Sequence, residues 1–133
     1  FVDLGKRGLL SLPMGAYTGA ILGDKGGDVL VLWAHQNRIR WLPEVVRLLT
    51  ALTELRLHDN EIEKVPAEFG EMTALRRLWL NRNRLDRCPV ELGKLTRLET
   101  LALSDNPITE LCLGIGNLSR LADLRLDGLR LTI

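Results

Sequence analysis

The apolar residues of this chain fall on a grid that recurs every 23 positions, from 52 to 75 to 98. Leu52, Leu55, Leu57, Asn60, Ile62, Val65 and Pro66 are matched one period later by Leu75, Leu78, Leu80, Asn83, Leu85, Cys88 and Pro89. Leu98, Leu101, Leu103, Asn106, Ile108 and Leu111 continue the grid, with Cys112 in the proline slot. One period upstream stand Val29, Leu32, Ala34, Asn37, Ile39, Leu42 and Pro43. Downstream, Leu121, Leu124, Leu126 and Leu131 keep the spacing, with Leu129 where an asparagine stood before. An earlier unit, Val2, Leu4, Leu9, Leu12 and Pro13, has Arg7 at that slot. A fixed period of this length marks stacked units, each too small to bury its own apolar face and each relying on its neighbours to do so.

Each unit carries two signals. Its LxL segment alternates apolar and polar residues at period two, as a strand does when one face is buried. Its outer half carries an apolar pair at i, i+3: Val46 and Leu49, Phe69 and Met72, Leu92 and Leu95, Ile115 and Leu118. That spacing suits one face of a short helical turn. Between the two, Asn37, Asn60, Asn83 and Asn106 fall in register, and a side-chain amide offers both donors and acceptors to the backbone of a tight buried turn. These asparagines are expected to form a structural ladder.

The pattern LxxLxLxxNxLxxLP resembles the leucine-rich repeat family over nearly the whole chain. The trailing halves, such as Ala67 to Thr73 and Val90 to Thr96, are similar to the 23-residue intracellular class of scribble-type and Ras-suppressor-type proteins. The resemblance implies an α/β fold: a leucine-rich-repeat solenoid with a curved parallel sheet on the concave face and short helical or irregular segments on the convex face. Residues 1–133 are read as a single array, with repeats starting near 2, 29, 52, 75, 98 and 121. From residue 13 to residue 29 the grid is stretched by an insert, Gly15 to Asp28, whose five glycines predict a mobile loop. Its Gly23-Asp24-Lys25-Gly26-Gly27 matches no phosphate-binding pattern. The terminal repeats lack the polar outer face of a cap, so the chain is read as a fragment of a longer one.

Charge excludes some functions. With 18 basic and 17 acidic side chains, the net charge of +1 supplies no field to hold nucleic acid or an anionic membrane. No stretch approaches the roughly 18 apolar residues of a membrane span. Two cysteines without a CxxC spacing suggest neither a disulfide framework nor a metal site. They point to a reducing, intracellular and cytoplasmic setting, with Cys88 an inert thiol at an inward slot equivalent to Val65 and Leu111.

Stacking in register turns equal grid positions into columns about 4.8 Å apart on the concave sheet. One column reads Asp3, Trp33, Arg56, Trp79, Ala102, Arg125, and the next reads Gly5, His35, His58, Asn81, Ser104, Asp127. Two tryptophans around one arginine, expected to be exposed and without an acidic neighbour, are the residue types that dominate binding hot spots. The candidate contact surface is therefore Trp33, His35, Arg56, His58, Arg77, Trp79, Asn81 and Arg82. The other arginines stand beside acids in a self-neutralising pattern (Arg77 by Glu54, Arg82 between Asp59 and Asp105, Arg84 and Arg38 by Glu61), which argues against a nucleic-acid groove. His35, His58 and Asp59 fall short of the four ligands of structural zinc. Ser104, two repeats from His58, is too far for a nucleophile–base pair. No catalytic group, cofactor or metal is expected. The sequence thus reads as a non-enzymatic protein-interaction or scaffold module that binds a protein partner on its concave face. The rival reading is a structural subunit embedded in a large complex, for instance one containing RNA, through its convex face, Trp41 and the Gly-rich insert.

Overall fold

The LxL segments form six short strands: β1 (Val2–Asp3), β2 (Val31–Trp33), β3 (Glu54–Arg56), β4 (Arg77–Trp79), β5 (Thr100–Ala102) and β6 (Asp123–Arg125). They pair in parallel, in chain order, as one sheet. The computed structural model describes residues 1–12 and 30–132; the predicted Gly-rich loop and the repeat start at Val29 lie outside them. Equal grid positions are register partners. Leu32 faces Leu55, Leu55 faces Leu78, and Leu78 faces Leu101. All four are almost wholly buried, as expected of the inward residue of a three-residue strand.

Past β2, β3, β4 and β5 the chain turns through the ladder asparagine and returns along an outer 3-10 turn. These turns are Glu44–Leu48, Ala67–Glu71, Val90–Lys94 and Leu113–Asn117. Each is preceded by Pro43, Pro66, Pro89 or Cys112 in extended conformation, because a residue that starts a turn does not need its N–H. The outer apolar pairs sink into the core, with Phe69, Met72, Leu92 and Leu95 fully buried. The 3-10 geometry, with three residues per turn, places i and i+3 on one side. The outer turns touch at backbone level. A Cβ on Gly93 would meet the Cα of Gly114 at 2.9 Å. No helix among the described residues is long and apolar enough to cross a membrane.

The asparagine ladder recurs along the array. The Nδ2 of Asn60 donates to the carbonyls of Ala34 (2.9 Å) and Leu57 (3.0 Å), while its Oδ1 accepts from the Ile39 N–H (3.1 Å). Asn83 repeats this with Leu57, Leu80 and the Ile62 N–H, and Asn106 with Leu80, Leu103 and the Leu85 N–H. Asn37 accepts from the N–H groups of both Arg7 and Leu9. The residue just before this slot is left-handed in every coil: Lys6, Gln36, Asp59, Arg82 and Asp105 have φ between 54° and 58°, and Gly128 has φ 70°. That kink lets the next side chain point inward.

Two expectations about the descending side are corrected. Leu111, expected inward like Val65 and Cys88, is 38% exposed. Cys88 is buried but is not a free thiol. It is bonded to Cys112, with Cα atoms 5.4 Å apart and a sequence separation of 24. Stacking brings the last apolar slot of one coil over the proline slot of the next, so residues far apart in sequence become neighbours. The bond removes the cysteine argument for a reducing compartment.

Candidate concave contact site

Strand register builds the site. Trp33 faces Arg56 and Arg56 faces Trp79 across β2, β3 and β4. The guanidinium of Arg56 lies 4.1 Å from the Trp33 ring centroid and 4.8 Å from that of Trp79. A cation held between two indole faces is worth about 0.5–1 kcal/mol per contact where solvent is near. The ladder continues outward, because Phe1 sets its ring edge against Trp33 at 4.7 Å. It ends on the other side at Ala102, which is buried and in register with Trp79.

Two expectations for these residues change. Trp33 and Trp79 are half-buried rather than exposed, because stacking on Arg56 covers part of each ring. Arg56 also has an acidic partner. Glu54, two residues earlier and therefore on the same strand face, accepts from Arg56 Nε at 2.8 Å and from Trp33 Nε1 at 2.9 Å. Arg77 reaches the same carboxylate at 3.7 Å. Glu54 is thus the hub of the site. Neither Glu54 nor Phe1 was among the candidate residues. The signal for Glu54 was its i−2 spacing from Arg56, and for Phe1 its place one step before the tryptophan column.

The second column packs alongside. His35 and His58 stack with centroids 4.9 Å apart and planes 10° from parallel, and His35 meets Trp33 edge-on at 6.1 Å. Asn81 follows on the next coil. Gly5 leaves room for the His35 ring: a Cβ there would lie 2.6 Å from His35 Cε1. Burial, then the charge of neighbouring His35, hold the His58 imidazole below its ordinary value, with Asp59 opposing. Farther along, Ser104 Oγ donates to Asp127 at 2.6 Å, which holds that exposed carboxyl below its usual range.

Arg82 stays largely exposed, 3.6 Å from Asp59 and 3.9 Å from Asp105. Arg38 and Arg84 share Glu61. Such pairs, open to water, contribute little to stability, but they leave few free cations on this face. Arg56, His58, Trp79, Asn81 and Arg82 line one open hollow of about 500 Å³, completed by Ser104, Asp105, Arg125 and Asp127. Of the eight candidate residues, Trp33, Arg56 and Trp79 form one continuous stack and His35 joins it to His58. Asn81 and Arg82 border the hollow, and Arg77 joins the site through Glu54. Ser104 is occupied by Asp127.

Comparison with known proteins agrees with this construction. Residues 50–108 match the model of the leucine-rich repeat family. A leucine-rich repeat protein of Leptospira interrogans is 36% identical, with a TM-score of 0.73, over 76% of this chain and 26% of its own. The ectodomain of the plant membrane receptor kinase GASSHO1/SCHENGEN3 from Arabidopsis thaliana, solved in complex with Casparian strip integrity factor 2, is 32% identical. Its TM-score is 0.68 over 75% of this chain and 12% of its own. The octameric complex of latrophilin 3, Unc5D and FLRT2, to which FLRT2 contributes leucine-rich repeats, gives 32% identity and a TM-score of 0.70 over 77% of this chain and 32% of that one. The chain therefore spans about a third or less of the length of these structures. A search of curated proteins finds no match. With one parallel strand, one asparagine rung and one outer 3-10 turn per 23-residue coil, and with its central repeats matching the family's own model, the chain is a leucine-rich-repeat solenoid.

Proposed function

We propose that this solenoid binds a protein partner across its concave face, centred on Trp33, Arg56 and Trp79. Leucine-rich repeats generally mediate protein–protein interaction and are typically non-enzymatic. Two of the similar structures are themselves complexes. The observation that carries the proposal is the indole–guanidinium–indole stack. Glu54 fixes Arg56 and Trp33 from one side, so the stack presents large, rigid, partly desolvated area that loses little side-chain entropy on contact. We also assign the repeats to the 23-residue class of scribble-type and Ras-suppressor-type proteins, which the period and the residue before each outer turn support.

Trp79→Ala should weaken binding of the captured partner by about 2 kcal/mol or more, the usual hot-spot threshold. Folding should lose less, about the 0.5–1 kcal/mol of the contact with Arg56 plus the packing of a half-buried ring. Isothermal titration of the two forms, with Lys64→Ala as control, reads the binding effect, and their urea midpoints read the folding effect. Binding lost with Lys64→Ala and kept with Trp79→Ala would move the interface to the convex side.

The embedded-subunit reading keeps one observation in its favour: Trp41, Val90 and Leu113 are 60%, 71% and 96% exposed away from the concave stack. A salt titration separates the two. An RNA contact weakens steeply and log-linearly with salt, whereas an indole-centred contact hardly responds.

A further inference from the structure

Both histidines of the chain, His35 and His58, stand on adjacent coils of the concave sheet. In each, Nδ1 is buried without a hydrogen-bond partner. A neutral ring tolerates this by carrying its proton on the other nitrogen. A protonated ring has an N–H at both nitrogens, so charging His58 would bury a donor with no acceptor and set a cation against the stacked His35 ring. The stack is not isolated, since His35 abuts Trp33, whose indole donates to the Glu54 carboxylate that also holds Arg56.

We propose that the concave contact face is proton-operated: the His35–His58 stack props Trp33 in the tryptophan–arginine ladder, and protonation of His58 separates the rings and loosens that ladder. This rests on reading the same face as the contact surface. It predicts a face that is complete at neutral pH and degraded in mildly acidic solution.

The charged groups around the stack support the direction. Arg56 on β3 and Arg82 on the following coil both disfavour a charged His58, as does His35, while Asp59 favours it; burial is the largest influence and also disfavours it. Glu54 is engaged by Arg56, Arg77 and Trp33. On the first coil the His35 ring packs on Gly5, whose N–H donates to the Asp3 carboxylate, a charge that opposes the others. A histidine held below its ordinary value of 6.5 contributes stability that is complete above that value. The contribution is lost as pH falls from there through the folded-state value.

The test uses the chain itself and needs no partner. Histidine Cε1–H and indole Nε1–H resonances are followed by NMR from pH 7.5 to 5.5, a window chosen above the range of ordinary carboxylates. Melting is measured at the same pH values for the wild type and for His58→Asn, a change that copies what the next coil already carries at Asn81. The expected result is that His58 titrates below 6.5 and the Trp33 indole signal moves with the same midpoint. The melting temperature should fall by about 3 °C on acidification, and most of that fall should vanish in His58→Asn. Titration at or above 6.5, an indole signal that ignores the histidine midpoint, or an undiminished fall in the variant would each overturn the proposal. The wild-type titration stands even if the variant folds poorly. Failure of the contact reading is separately visible as partner binding indifferent to Trp79→Ala, whatever the histidines do.

Discussion

Asn60→Ala should cost about 3 kcal/mol of folding stability, far more than a change at an exposed asparagine such as Asn117. The reason lies in how the ladder shares its bonds. Ala34 and Leu57 carbonyls each receive a second amide, from Asn37 and Asn83, so removing Asn60 leaves them under-satisfied rather than bare. The Ile39 N–H is different. Its partner is Asn60 Oδ1, and losing it strands a buried donor, which alone costs about 1–3 kcal/mol. Two weakened carbonyl bonds and the emptied amide volume add to that. Urea midpoints of Asn60→Ala and Asn117→Ala, compared at equal slope, check the ordering. Equal losses would show that the interior amide is not what closes the turn.

Phe69→Ala should be the most damaging single truncation among the apolar residues, at about 3–5 kcal/mol. Phe69 lies on the outer turn Ala67–Glu71, is fully buried, and fills a slot that neighbouring coils fill with the smaller Val46, Leu92 and Ile115. Coils on both sides are built around that ring, so neither can collapse into the space it leaves. Phe69→Leu keeps most of the volume and should cost less than about 1.5 kcal/mol. Thermal melts of the pair give the difference. A loss below about 1 kcal/mol for the alanine variant would mean that the outer turns lie on the core without sealing it.

The parts of this molecule legible in the sequence are those governed by repetition. A column is one grid position read once per coil, and parallel pairing in register turns sequence period directly into spatial adjacency. Trp33, Arg56 and Trp79 therefore come together as the spacing predicts. Contacts that run diagonally are harder to read. Glu54 reaches Arg56 within its own strand, and Cys88 reaches Cys112 across one coil and one position. Neither pairing is a column. Exposure on this face departs from the grid for a related reason. A side chain on the solvent face of a sheet is covered by its neighbours in proportion to their size, and three large groups in succession, Trp33, Arg56 and Trp79, cover one another. The exposure of Leu111 has a different origin, since the coil past Asn106 is overlaid only by the last repeat, where Leu124 and Leu131 are themselves exposed.

The left-handed residue that opens each asparagine turn places a conflict inside the solenoid. Glycine adopts that conformation freely, as Gly128 does, whereas most L-residues there cost roughly 1–2 kcal/mol and aspartate less. Yet Arg82 and Asp105 occupy it in the lining of the concave hollow, with Asp59 in the same conformation one coil back, and Arg82 stands between the two carboxylates. Trading them for glycine would relax the backbone coil by coil while erasing the charged rim. Asp59, Arg82 and Asp105 are therefore where selection for a sturdier scaffold and selection for a more discriminating surface pull in opposite directions.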